Sequence, residues 1–246
     1  VNRLDRFLRG QFLIGGFAIP RSVALLMGAT LGLSVAGALG RQARLPIVDL
    51  GVLVPLLVWA GQLWRVVTWS FFELDPLNLV FGLYALFLFG RDLSQGWGPV
   101  RFLSVSLGIV TSTGVVVSLL GWLWGDLMTT PQFGIWPLVD ALTVAWALLF
   151  PYRTIQLFFV IPLQGRALAR GVFVLIALFA VMGGFARFVP HAVASLLMLA
   201  YVSEPSPYRL WLRIKLALLH RQARREPPPG WRVVERKDDD PPRWVN

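Results

Sequence analysis

Gly61-Gln62-Leu63-Trp64-Arg65-Val66-Val67-Thr68-Trp69 sets an amide and a guanidinium into an otherwise apolar region. Pro46 and Pro55 precede it, and a proline inside a helix removes a backbone donor and clashes with the turn before it. The apolar stretch from about 46 to 75 is therefore not one more spanning helix but a membrane-embedded loop containing short helices. Its surroundings are those of a polytopic membrane protein. Of the 246 residues, 56% are hydrophobic and only 15% charged, and mean hydropathy is +0.65, a balance foreign to a soluble enzyme carrying one anchor.

A bilayer core of about 30 Å takes roughly 20 apolar residues per helical span, so this length holds six spans with short loops and no sizeable soluble domain. The spans read as about 21–40, 76–93, 101–122, 134–150, 168–186 and 188–203. Basic residues orient them. With the N-terminus inside, the inner segments hold Arg3, Arg6, Arg9, Arg21, Arg91, Arg101, Arg153, Arg166, Arg170 and the cluster from Arg209 to Arg225. Only Arg41, Arg44, Arg65 and Arg187 fall outside, which places both termini in the cytoplasm. The net charge of +10 is thus topology, and no nucleic-acid partner is expected. Arginine greatly outnumbers lysine, a composition that points to a GC-rich bacterial genome and so to a bacterial inner (plasma) membrane.

Residues 1–20 resemble a secretory signal in their basic start and short apolar run, but no small-residue cleavage site stands before Pro20. They read as an uncleaved interfacial helix. Val1 fits a valine-type start codon translated literally, or a trimmed chain. The six-span domain occupies 21–203. Beyond it, 204–225 reads as a basic amphipathic helix on anionic lipid, each basic residue worth about 1 kcal/mol there. The Pro- and Asp-rich residues 226–246 read as a flexible tail. With no cysteine and only His191 and His220, disulfides, thiolate chemistry and a histidine-rich metal centre are excluded. Neither a metal nor another cofactor is expected.

The loop with Trp64-Arg65, the hydrophobic helix after it, and Gly90-Arg91-Asp92-Leu93-Ser94-Gln95-Gly96-Trp97-Gly98 leading to Arg101 resemble the rhomboid superfamily of intramembrane proteases. The resemblance covers roughly residues 20–203 and implies an all-α, six-helix rhomboid-like bundle. Counted from Trp64-Arg65, Gly90 falls on the family's glycine near the end of the second span. Asn78 stands where the family has a donor histidine, and Gly82 where it has a donor asparagine. In the fourth span Gly134 matches the first glycine of Gly-x-Ser-Gly, but Trp136 occupies the nucleophile position and Pro137 the second glycine. His191 fits the catalytic histidine, with Ala194 and Met198 where glycines normally permit close packing. Serine chemistry needs a nucleophile, a base and oxyanion donors. The resemblance therefore implies a pseudoprotease with no catalytic residues, one that binds or scaffolds another transmembrane protein.

Asp140 lies one turn below Trp136, inside the fourth span. A carboxylate there costs several kcal/mol unless paired, hydrated or protonated, and the rhomboid arrangement puts His191 within its reach. A structural pair, a protonated Asp bonded to backbone and a functional role all stay open. The other carboxylates fall at span ends, so two facing aspartates of an aspartyl protease are absent. Gly28, Gly32, Ala36 and Gly40 form a small-residue face on the first span, read first as packing within the bundle and second as a partner face. Gly171 and Gly183-Gly184 offer the same on the fifth. Two rivals remain: a protease with its nucleophile displaced to a third-span hydroxyl such as Ser104, Ser106, Ser112 or Ser118, and a structural subunit of a larger, for example energy-converting, complex.

Overall fold

The computed structural model describes residues 7–8, 10–14, 17–157 and 161–203. The basic helix expected at 204–225 and the tail at 226–246 lie outside the described residues, as do residues 1–6. Where an interfacial helix was expected near the N-terminus, strands β1 (Gln11–Ile14) and β2 (Phe17–Pro20) pair antiparallel, Gln11 opposite Pro20. The sequence between them, Gly15-Gly16, and their β-branched and aromatic content favour a hairpin over a helix.

Six long helices follow the expected order: α1 (Arg21–Gln42), α5 (Pro76–Trp97), α6 (Pro99–Leu120), α8 (Trp136–Leu149), α9 (Gly165–Gly183) and α10 (Phe185–Ser203). The chain is an all-α membrane protein. Five of these helices are long and apolar enough to cross a bilayer. The exception is α8. Fourteen residues rise only about 21 Å, short of a hydrocarbon core of about 30 Å. It need not reach further, because α5, α6, α9 and α10 pack around it and Pro137 to Ala147 are buried almost without interruption. The expected start of this span at residue 134 moves to Trp136, since Gly134 has φ +112°, outside any helix. The extended segment before α8 is itself covered, Gln132 and Ile135 being buried, which is the condition for irregular backbone at membrane depth.

Between α1 and α5 the loop folds into α2 (Ile47–Gly51), α3 (Pro55–Trp59), α4 (Arg65–Thr68) and a 3₁₀ turn at Trp69–Phe71. Arg65, 2% exposed, holds it together. Its guanidinium donates to the Gln62 side chain at 2.7 Å and to the carbonyls of Asp49 at 2.6 Å and Val52 at 2.5 Å. Burial lowers the Arg65 pKa and Asp49 opposes the shift. Trp64 Nε1 donates to the Leu50 carbonyl and Thr68 Oγ1 to that of Gly51. The loop docks on α6 at Gly114, where a Cβ would lie 2.7 Å from the Val66 carbonyl oxygen. A short helix α7 (Gly125–Thr129) leads from α6 into the α8 segment, whose Gln132 pairs its backbone with Leu53 of the loop.

Further details depart from the sequence reading. Of the expected small-residue face, Gly40 is buried, while a Cβ on Gly28 or Gly32 would meet nothing within 4 Å and these two face away from the bundle; Gly40 packs together with Ser22, Val23, Leu26, Thr30, Ser34 and Gly37. Gly183 and Gly184 shape the α9–α10 turn: Gly184 takes φ +95°, and a Cβ on Gly183 would sit 3.0 Å from the Phe188 ring. A second hairpin, β3 (Thr154–Leu157) with β4 (Ile161–Gln164), joins α8 to α9. Asp92, read as a span-end carboxylate, ties α5 to the α8 end of the bundle, accepting from Trp146 Nε1 and Arg153, both at 2.9 Å.

Candidate functional site

Asp140 stands one turn into α8 and His191 follows Pro190 inside α10, the two helices that pack most extensively together. His191 Nδ1 lies 2.7 Å from Asp140 Oδ2, with the two side chains 20% and 19% exposed. With Nδ1 carrying the proton, the ring donates to the carboxylate. Nε2 and Asp140 Oδ1 have no hydrogen-bond partner among the described residues. The Phe188 ring packs on the imidazole at 5.3 Å between centroids and fixes its plane.

The pair lines a cavity of about 790 Å³. One wall is apolar, from Val172, Leu175, Ile176 and Phe179 of α9, with Phe188 of α10. The lining also includes Asn78 of α5, Trp136 of α8 and Glu73, just ahead of α5. The segment Thr130–Phe133 closes one end, and Arg187 stands exposed on the same lining. Helices α5 and α9 both pack on α8 but make little or no contact with each other, so the cavity has a lateral side between them.

Asn78, Trp136, Asp140 and His191 thus meet in one place, whereas the other motif positions do structural work. Gly82 has no room for a side chain, because a Cβ would come within 2.6 Å of Ile135 Cγ2. Gly90 sits between Phe102 and Val23, knitting α1, α5 and α6. Gly134 combines its positive φ with a Cβ position 3.0 Å from Glu73 Oε2. Pro137 occupies the first turn of α8, where its missing N–H costs nothing. Gly171 has open space around it. Trp136 fills its position, its Nε1 buried and unpartnered.

Among the lining residues not singled out from the sequence are Glu73, Gln132 and Arg187. Glu73 is buried and accepts from the backbone N–H groups of Leu74 and Asp75 at 3.1 and 3.5 Å. Burial, the largest influence, raises its pKa against those donors. Gln132 donates to the Ala186 carbonyl at 3.0 Å, tying the α8 segment to α10. Arg187 makes no side-chain hydrogen bond or ion pair among the described residues. An acid two residues before the helix-capping Asp75 was the one visible signal for Glu73; the other two needed the tertiary structure.

Chemically, an Asp–His pair can orient an imidazole to take a proton from a nucleophile. Such a nucleophile must stand within hydrogen-bond reach of it. The only serine or threonine in the lining among the described residues, Thr130, donates its hydroxyl to the Asp126 carbonyl at 2.5 Å. None of the third-span serines lines this cavity. Ser106 and Ser118 are buried on α6, the latter bonded to the Gly114 carbonyl, and Ser104 lines a separate recess at the α5–α6 turn.

The family described as Eukaryotic integral membrane protein (DUF1751) matches residues 23–203. No curated protein matches the sequence significantly. The eukaryotic description overturns the bacterial inner-membrane placement, which rested on arginine-rich composition alone; the membrane location itself stands. The match runs from the first span through the sixth, and the chain belongs to this family of eukaryotic integral membrane proteins, rhomboid-like in the wider sense.

Proposed function

We propose that this chain is a non-catalytic rhomboid-like protein that holds a transmembrane segment of another membrane protein at the cleft between α5 and α9. The observation that carries the reading is the contrast between the two sides of the cavity. At its chemical end Trp136 fills the nucleophile position and Ile135 the space over Gly82. On its lateral side α5 and α9 make little or no contact with each other, and Leu175 and Phe179 of the apolar wall are about half exposed. Helices associate in lipid through close packing and polar contacts, not through hydrophobic drive. A cleft with both an apolar wall and polar groups supplies these.

Photo-crosslinkers at Leu175 and Phe179 in native membranes should capture one defined partner span, and crosslinkers at Leu31 and Val35 of α1 should not. Capture confined to α1 would refute the cleft and support the structural-subunit alternative. A fluorophosphonate probe should label neither the protein nor Trp136→Ser, because Gly82 and Pro137 leave no rebuilt oxyanion site. Probe labelling of a native serine would instead establish a displaced nucleophile.

A further inference from the structure

Resting on that reading, we infer that the bound span carries a hydrogen-bond donor side chain (amide, hydroxyl or ammonium) at the depth of Asp140. The inference comes from counting polar capacity in the cavity. A carboxylate accepts up to about four hydrogen bonds, and Asp140 receives one, from His191. His191 Nε2, an acceptor in the tautomer that donates from Nδ1, receives none. The Asn78 side chain brings a carbonyl oxygen and an amide, neither bonded within the described residues. Glu73 is different: its carboxylate already accepts from the backbone around it and is not short of donors. Trp136 Nε1 is a donor but is buried and cannot be offered to the cavity.

At the Asp140–His191 pair itself the balance is a shortage of donors beside an apolar wall, since neither Arg187 nor Asn78 bonds to it. At membrane depth unpaired polar groups are costly, and intramembrane carboxylates pair or hydrate. A partner helix packed along Val172, Ile176 and Phe179 and bringing an N–H or O–H to Asp140 meets both demands. A partner bringing a carboxylate to the depth of Asp140 would add acceptors where the pair already has them in excess. Arg187, exposed on the same lining, does not reach the Asp140–His191 pair.

The test uses the full chain, purified and reconstituted in vesicles, with labelled host spans of leucine and alanine bearing one central guest: Leu, Asn, Lys or Asp. Energy transfer should show Asn and Lys spans binding about three- to tenfold tighter than the Leu span, and the Asp span weaker than Leu. Asp140→Leu should erase the preference, the Asn and Lys spans falling to the affinity of the Leu span in that variant. The guest series in the unaltered protein decides the matter even if that variant fails to fold. Equal binding of all guests, or a preference that survives Asp140→Leu, overturns the inference and leaves the proposed function standing. No binding of any span removes both.

Discussion

The Asp140–His191 contact allows a double-mutant cycle with a stated magnitude. The side chains lie 2.7 Å apart and each is about one-fifth exposed, so neither limit of ion-pair energetics applies directly. Exposed pairs contribute about 0.2–1 kcal/mol, whereas breaking a buried pair costs about 3–5 kcal/mol. Neutral interhelical hydrogen bonds in membranes average about 0.6 kcal/mol and reach about 1.7, and a charged partner roughly doubles a bond's strength. A coupling of about 1.5 kcal/mol follows, with about 1–3 as the working range. His191→Ala should cost more than Asp140→Ala, because it strands the carboxylate and also removes the ring that packs on Phe188. Each single change should cost about 2 kcal/mol, and the double change clearly less than the sum. Reversible unfolding in mixed micelles of the two single variants and the double would measure it. A coupling below about 0.4 kcal/mol, the additivity seen for independent sites, would mean that the pair does not join α8 to α10 energetically.

Arg65→Lys should destabilise the loop by about 2–4 kcal/mol, because one ammonium cannot replace a buried planar fork with three acceptors; an effect near zero in the same unfolding assay would contradict the staple role. Glu73 has its pKa raised by burial, so its contribution is full below the ordinary glutamate range and is lost as pH rises through the raised value. Glu73→Gln should therefore flatten the acid-side pH profile of thermal stability, and an unchanged profile would count against a buried Glu73. Gly134→Ala combines a disfavoured positive φ with the 3.0 Å approach to Glu73 Oε2, so a loss of about 1–3 kcal/mol is expected. Melting temperature should show it, and tolerance of the change would mean the α8 segment relaxes away from Glu73.

The spans were legible because length and apolarity are carried locally, and a helix in lipid must satisfy its own backbone. The loop was legible from Pro46, Pro55 and Arg65 for the same reason: they forbid one continuous span. The two hairpins were not, since four-residue strands such as Thr154–Leu157 carry too little pattern to compete with neighbouring apolar runs. The packing face of α1 was only partly legible from its small residues: Gly40 packs as expected, but the face is marked as much by the buried Ser22, Thr30 and Ser34. Gly28 and Gly32 differ from Gly37 and Gly40 only in what lies opposite them, Val48, Phe72 and Ile47 in the latter case. The meeting of Asp140 and His191, residues 51 apart in sequence, was expected only through the rhomboid resemblance, while Arg187 and Gln132 belong to the cavity solely through the turn that starts α10.

The site's two halves point in opposite directions, and that opposition is what separates binding from hydrolysis. Where a peptide carbonyl would have to sit, apolar atoms have closed in: Ile135 against Gly82, and the Trp136 ring with its Nε1 sealed from any partner. Had the whole cavity lost its use, the cheapest outcome would be to close it throughout, since a buried charge pair seldom outperforms apolar packing of the same volume. Yet Asp140, His191 and Asn78 remain accessible beside an apolar wall, with acceptors left over, next to two helices that do not seal against each other. Polar groups left short of partners at membrane depth lower stability unless something completes them. On the proposed reading, a helix that arrives between α5 and α9 with a donor would complete them without needing the filled end, so a tryptophan at position 136 and a retained Asp140–His191 pair are compatible demands on one cavity.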